Sequence, residues 1–331
     1  MLLTKLNPMF NDNKKVLVIG EPIIDLTVYS DIVGMSLETP TLKARQSGQE
    51  IITLGGTGHV VNNLLELSRN GKRICWLSVI GKDRFTSTHI DAIAKTDSKL
   101  LVIDGRFNTV KSRFWIKTPT SDIDSSYKYF QLDTICNDEI PSRWREDVIS
   151  TFESYVARYD VILLIDYRHG LFDDDMIKRC IEYCNRNHKP IICSSQVSNW
   201  KEADTIGHSS FRGADLIVLN EREALLNSPV GKDLPKLLDA NVCVTLGSKG
   251  SKLYFKNGET VAVESMVDKT KAIDTCGAGD SFISCLSLCD WQSNPRESLR
   301  LANYWAYLAV VQPGVTVPRK KHFEPYIDNV C

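Results

Sequence analysis

No stretch of this chain stays apolar for the roughly 20 residues that a membrane-spanning helix needs, so no span is predicted. The N-terminus, MLLTKLNPMFNDNKK, is interrupted by Pro8 and by polar residues where a signal peptide requires an unbroken apolar core. A cytoplasmic protein is expected. Excess charge of one sign is missing too: 40 Lys and Arg stand against 41 Asp and Glu, a formal net charge of −1. That balance gives no electrostatic reason to expect nucleic acid or an anionic membrane as partner. Internal repeats, low-complexity tracts and flexible linkers are also absent.

Two familiar motifs are missing. The ten cysteines contain no CxxC pair. Cys180/Cys184 and Cys285/Cys289 have the spacing of one helix face, but neither pair has the two further ligands of a zinc site nearby. Buried free thiols in a reducing compartment are the expectation. The second absence is GxGxxG. Val16–Gly20 (VLVIG) reads as a buried parallel strand, yet Glu21-Pro22-Ile23-Ile24-Asp25 follows it rather than a glycine-rich turn. A dinucleotide-dependent dehydrogenase is therefore disfavoured.

What is present centres on residues 272–282, AIDTCGAGDSF. Gly277, Ala278 and Gly279 are able to place backbone N–H groups at the mouth of the helix that follows, where unpaired donors and a partial positive charge hold anions. Asp280 falls in the first turn, positioned to take a proton from a hydroxyl beside that anion. An anion cradle with an adjacent base suits phosphoryl transfer to an alcohol.

The rest of the chain reads as α/β. From Leu26 to Leu54 the pattern is short, alternating and turn-rich, predicting strands that stand off the main sheet. Gly55-Gly56-Thr57-Gly58 leads into a helix over 59–69 that Gly71 is expected to cap. Residues 74–80 read as a strand, followed by a helix to about residue 94. Strands are predicted at 100–103, 109–117 and 127–132, the last two forming a hairpin from which Lys111, Arg113 and Lys117 project, either to solvent or toward a ligand. After Asp133, helices near 139–157, 173–187 and 199–207, and one from Glu221, alternate with strands at 161–166, 190–195, 215–220 and 242–247. A hairpin and helices at 278–290 and 295–312 follow. Such alternation argues for a mostly parallel sheet covered by helices on both faces.

Several strand ends carry candidate groups. Asp25 is either a ligand contact or a turn carboxylate. Asn220-Glu221-Arg222-Glu223 offers carboxylates to orient water around Mg²⁺, or ordinary helix-capping chemistry. Thr245-Leu246-Gly247-Ser248-Lys249-Gly250 is either a nucleotide loop or a plain hairpin turn. His169, in Asp166-Tyr167-Arg168-His169-Gly170, receives no role.

Together these segments resemble the ribokinase-like carbohydrate kinases, the PfkB family, over essentially the whole chain. DTCGAGDSF matches the family's C-terminal signature, VTLGSKG and NEREA precede it at the right distances, and Gly55-Gly56 corresponds to the N-terminal signature. The resemblance implies a three-layer α/β/α fold, one domain over 1–331, with a small β lid from about 26–54 and 105–133. It implies Asp280 as catalytic base, Gly277, Ala278 and Gly279 as the anion hole, and Asp274 and Thr275 leading into it. Asn220 and Glu223 match a motif acting through Mg²⁺, Glu223 through water. Thr245, Gly247 and Gly250 match the nucleotide loop, and residues 301–318, with Asn303, the segment around adenine. Asp25, Gly55, Gly56 and Asn63 match sugar contacts.

ATP and Mg²⁺ are the implied cofactors, with a monovalent cation as a third candidate and a sugar or sugar phosphate as acceptor. Ser36-Leu37-Glu38-Thr39-Pro40 and Ile165-Asp166-Tyr167…Gly170 are similar to the heptose 7-phosphate kinase branch, where Lys111 and Arg113 match basic lid positions. His59 departs from that branch's usual Asn, and Ser194-Ser195-Gln196 from its Asp-Pro-Lys. No nucleotidyltransferase segment follows Cys331, so a stand-alone kinase is expected. Open edges on the lid strands invite a second copy. Kinases for another sugar or a nucleoside, and a non-catalytic sugar-binding relative, are the competing expectations.

Overall fold

The VLVIG run divides its side chains between two apolar cores. Val16 and Val18 face one, Leu17 and Ile19 the other, as the two-residue period of a strand dictates. This is β1 (Val16–Gly20), an interior strand of the main sheet. The computed structural model describes residues 9–120, 123–136, 140–196, 207–265 and 271–330.

In chain order, β2 (Pro22–Met35), β3 (Leu42–Gln46) and β4 (Ile51–Gly56) leave the main sheet, and α1 (Thr57–Leu67) returns to it. Next come β5 (Ile74–Gly81), α2 (Thr86–Ile93) and β6 (Lys99–Ile103), then the long hairpin β7 (Val110–Thr120) and β8 (Ile123–Thr134). The regular half follows: α3 (Ser142–Val156), β9 (Val161–Asp166), α4 (Asp174–Arg186), β10 (Ile191–Ser195), β11 (Leu216–Asn220), α5 (Glu221–Asn227) and α6 (Leu234–Leu238). β12 (Asn241–Thr245), β13 (Ser251–Tyr254), β14 (Thr260–Val263), α7 (Ala278–Leu288), α8 (Pro295–Val310) and α9 (Lys320–Val330) complete the chain.

Nine strands make the main sheet, in the order β14-β13-β12-β11-β10-β9-β1-β5-β6. Pairing is parallel from β12 to β6 and antiparallel only for β13 and β14. Side chains of α1, α7, α8 and α9 fill the core on one face, and those of α3, α4 and α6 the core on the other. Because the strands are parallel, Gly20, Gly81, Asp166, Ser195, Asn220 and Thr245 all arrive at one edge, where α/β sheets bind ligands.

The second sheet spans the stretches expected to stand off the main one. β3-β2-β7-β8 run side by side, and β4 joins the inner half of β2. β2 is buried from Pro22 to Val28 and exposed from Asp31 onward, because its far half has left the main core.

Most predicted elements appear within a few residues of their expected bounds. The predicted helix at 199–207 falls largely outside the described residues. The Gly71 cap is corrected: α1 stops at Leu67 with Ser68 extended, and Gly71 instead opens a 3₁₀ turn held by the Asn70 side chain, which accepts from the Lys72 amide. A Cβ at Gly71 would meet the Lys95 carbonyl at 2.5 Å, so close packing rather than capping calls for glycine there. α9, without a predicted counterpart, closes the first core through Phe323, fully buried against Trp305 and Phe10. All described cysteines are free thiols and, except Cys276, buried.

Candidate active site

The segment before α7 is fixed at both ends. Ile273 and Asp274 donate their amides to the Val310 carbonyl at the end of α8, at 2.8 and 3.2 Å. Asp274 Oδ1 accepts from the Cys276 amide at 3.0 Å, and its Oδ2 is buried with no hydrogen-bond partner among the described residues. Gly277 then takes the left-handed conformation (φ +77°) and its carbonyl accepts from the Ser281 amide at 2.9 Å, starting α7. The Ala278 amide donates back to the Thr275 carbonyl at 3.3 Å, while the amides of Gly279 and Asp280 lie in the first turn, where an α-helix leaves its donors without an intrahelical partner. Behind the turn sits His59, buried, with Nε2 at 3.5 Å from Ser281 Oγ. Burial pushes its imidazole down to about 4, so it is neutral at physiological pH.

Two cavities meet at this loop. A largely apolar one of ≈190 Å³ is lined by Thr245, Gly247, Gly250, Thr275, Asn303, Tyr307 and Phe282 among others. Asn303 is held in that wall by donating to Ser251 Oγ at 3.0 Å. A smaller one of ≈60 Å³ is lined by Asp280, Tyr167, Asn220, Glu223 and Gln196. Thr245 and Gly279 belong to both walls. The apolar cavity has the size and character for a flat base, and the polar one for phosphate oxygens.

Asp280 stands at the inner end. Burial raises its carboxyl to about 7; the Tyr167 hydrogen bond and the Lys111 charge oppose that shift, and the Asp25 charge adds to it. The Tyr167 hydroxyl donates to Asp280 Oδ1 at 2.5 Å. Tyr167 is in turn set by Glu21, whose carboxylate accepts from the amides of Tyr167 (2.6 Å), His169 (3.1 Å) and Leu171 (3.1 Å). Burial, then the charge of Asp166, pushes the Glu21 carboxyl up to about 8 against those three donors. The Glu21 carbonyl also accepts from Thr57, at the start of α1. One residue thus ties the end of β1 to both neighbouring loops. The sequence assigns neither residue a role: Tyr167 stands out only within the Ile165-Asp166-Tyr167…Gly170 segment, and Glu21 only as the residue that breaks the GxGxxG pattern after β1.

On the lid side, Asp25 and Arg113 form a buried ion pair. They lie on β2 and β7, with Lys111 directly opposite Asp25 in the register. Burial raises the Asp25 carboxyl while the Arg113 guanidinium pulls it down. Gly55 sits beneath: a Cβ there would lie 2.0 Å from Asp25 Oδ2, so only glycine lets that carboxylate lie flat on the strand. A buried charge pair made of two site candidates costs desolvation for both groups and leaves each dependent on the other.

Glu223 and Asn220 form a reciprocal capping box at 2.8 and 2.9 Å. Both capping and placement in the small cavity are therefore realised in the same two residues. Asn63 is not brought to the cleft. It is fully buried, donating to the His59 carbonyl and accepting from the Trp305 indole, each at 2.8 Å, and so joins α1 to α8. No cluster of three metal-ligating side chains exists among the described residues. The donor set instead fits Mg²⁺, which keeps most of its water and takes one or two carboxylates plus substrate phosphates.

The family model described as "pfkB family carbohydrate kinase" matches residues 126–322. The chain belongs to the pfkB family. Its likeness to known proteins runs beyond that segment. The bifunctional protein HldE of Bradyrhizobium diazoefficiens is 27% identical over 92% of this chain and 61% of its own length. That of Helicobacter pylori is 26% identical over 91% and 64%. The chain spans about three-fifths of the length of these relatives. Among solved structures, ribokinase from Thermotoga maritima superposes with a TM-score of 0.66 at 20% identity, covering 96% of this chain and all of that one. Arabidopsis thaliana ribokinase complexed with ribose and ATP gives 0.65 at 16%, covering 95% and 99%. These establish the ribokinase-like fold.

Proposed function

We propose that this pfkB-family enzyme transfers the γ-phosphoryl group of ATP to a hydroxyl of a sugar phosphate, with Asp280 as the base. The observation that carries the reading is the junction itself: Gly279 and Thr245 border both cavities, and Asp280 lies at the inner one. ATP would lie with its base in the apolar cavity and its terminal phosphate at the head of α7. Asp280 Oδ2 takes the proton of the acceptor hydroxyl, whose oxygen forms a bond to the γ-phosphorus. The bond from that phosphorus to the β–γ bridging oxygen breaks, and ADP leaves. Glu223 and Asn220 would hold Mg²⁺ through water, and the ion would neutralise charge on the β and γ phosphates. The first-turn amides steady the moving group.

A heptose 7-phosphate-like acceptor is favoured by the Ser36–Pro40 and Ile165–Gly170 segments and by Lys111 beside Asp25. The reading takes the chain as one kinase domain whose lid covers the sugar. The part of the second sheet farthest from the main core exposes Ile32, Val33 and Met35 on β2, Leu42 on β3 and Tyr129, Phe130 and Leu132 on β8, each 42–55% accessible. Exposed apolar side chains beside an open strand edge suit a second copy of this chain. Sedimentation equilibrium is expected to give twice 37.3 kDa, and a monomer at micromolar concentration would rule this out.

The activity test is ADP release measured with ATP, Mg²⁺ and a panel of heptose phosphates, other sugar phosphates, free sugars and nucleosides. Turnover is expected with a sugar phosphate. A flat response to every acceptor by the folded protein would favour the sugar-binding reading. Because the base must be deprotonated and its carboxyl sits near 7, kcat/KM should climb about tenfold per pH unit below 7 and level off above it. A profile flat from pH 5 to 8 would remove Asp280 as base.

A further inference from the structure

We infer that Tyr167 is a positioning residue for Asp280: its hydroxyl grips one carboxylate oxygen so that the other is held toward the acceptor. This rests on the reading of Asp280 as base and adds a part that neither the motif nor the family match assigns. A carboxylate at the first turn of a helix rotates about two side-chain bonds, and a base works only when its lone pair faces the proton it removes. The 2.5 Å contact to Oδ1 removes that freedom and leaves Oδ2 beside the small cavity.

Tyr167 is suited to the task by how firmly it is held. It is 3% exposed, its ring lies 6.4 Å from that of His169, and its amide is bound by Glu21 Oε2. The next residue, Arg168, takes φ +60°, rare for a residue with a side chain. That turn persists because its surroundings fix it: Glu21 binds three amides of the loop, the Arg168 amide donates to Asp166 Oδ1 at 2.7 Å, and its Nε to Ser195 Oγ at 3.1 Å. The loop after β9 therefore presents a rigid hydroxyl to the helix that carries the base.

The same bond sets the proton affinity of Asp280. Donation from Tyr167 favours the carboxylate and opposes the effect of burial. The other charged groups facing it are Asp25, itself paired with Arg113, Lys111 on β7, and Glu223 across the cavity. Glu21 faces Tyr167 from below, and His59 behind the loop is neutral. None of these changes when only the tyrosine hydroxyl is removed.

The test is Tyr167→Phe, measured in two independent ways on the full chain. In protein with ¹³C-labelled aspartate carboxyls, the Asp280 signal, assigned by its loss in Asp280→Asn, should titrate about one pH unit higher in Tyr167→Phe than in the wild type. In turnover assays the acidic limb of kcat/KM should move up by the same amount. Activity at pH 7 should fall about fivefold and recover substantially by pH 9, with the KM for ATP unchanged within about twofold. An unmoved Asp280 titration, or a loss of activity equal at every pH, would overturn the inference. A moved titration together with full turnover in Asp280→Asn would uphold the contact and instead remove the base assignment. Where Tyr167→Phe lowers the melting temperature, Tyr167→Met at the same position separates packing from the hydroxyl. It must show the same titration shift, and a normal titration there would also overturn the inference.

Discussion

Asp280→Ala is expected to fold, bind ATP and turn over at least about 10²–10⁴-fold more slowly than the wild type, the usual worth of a positioned base. The fold should survive because Asp280 is not a structural support. Among the described residues its side chain is hydrogen-bonded to the Tyr167 hydroxyl alone, while α7 is anchored by Phe282, Ile283, Cys285 and Leu286 in the first core. Relative to the wild type, the variant should even gain stability at alkaline pH. The carboxyl is raised to about 7 in the folded chain and lies near 3.9 when unfolded. The folded state therefore binds the proton more tightly, and stability falls as pH rises from about 4 to 7. Above 7 the wild type carries the whole cost of a buried charge, on the order of a few kcal/mol. Asp280→Asn keeps the shape and lacks that cost. It should melt at the wild-type temperature near pH 4 and several degrees higher at pH 8. A melting temperature that drops in both variants, at every pH, would make Asp280 a structural residue and its kinetic loss uninformative.

How far the sequence could carry this is visible in particular residues. β1, β9 and β11 are legible because buried parallel strands are short apolar runs bounded by polar ends, and VLVIG, VILLID and LIVLN are such runs. The loop at Gly277–Gly279 is legible because anion binding by backbone demands small residues next to a helix start. Tyr167 and Glu21 are not legible, since their roles come from which strand lies beside which. β1 and β9 become neighbours only after the chain has passed through β5 and β6 and crossed back, and no local pattern reports a contact made 146 residues away. Asn63 fails for the opposite reason. Its place in a signature-like segment points to the cleft, but the helix phase of α1 turns it away from the strand edge and onto Trp305. Gly71 has the composition of a helix cap, while the actual end of α1 is set one turn earlier by the Ser68 amide bonding the Leu64 carbonyl.

Gly277→Ala and Gly279→Ala should fail in different ways, although the two glycines stand two residues apart. Gly277 has φ +77°, where an added Cβ costs roughly 1 kcal/mol by conformation alone. That Cβ would also lie 2.7 Å from His59 Nε2 and 3.3 Å from Val315 Cγ1. His59 cannot retreat, being 1% exposed and enclosed by α1 and α7. The turn itself must shift, taking the first-turn amides with it. A misplacement of about 1 Å at such a donor set costs on the order of 10²-fold in rate, so kcat should fall by up to about that factor and stability by roughly 1–3 kcal/mol. Gly279 has helical backbone and no protein atom within 4 Å of where its Cβ would be. Alanine there should leave stability equal or raise it by up to about 1 kcal/mol. Its methyl group would stand in the open wall shared by the two cavities, so the damage should appear as weaker ATP binding. Trimming the obstacle separates the two cases further: His59→Ala combined with Gly277→Ala should recover part of the lost kcat, and combined with Gly279→Ala should recover none. Equal recovery in both pairs would mean that His59 acts on the loop by some route other than the contact behind Gly277.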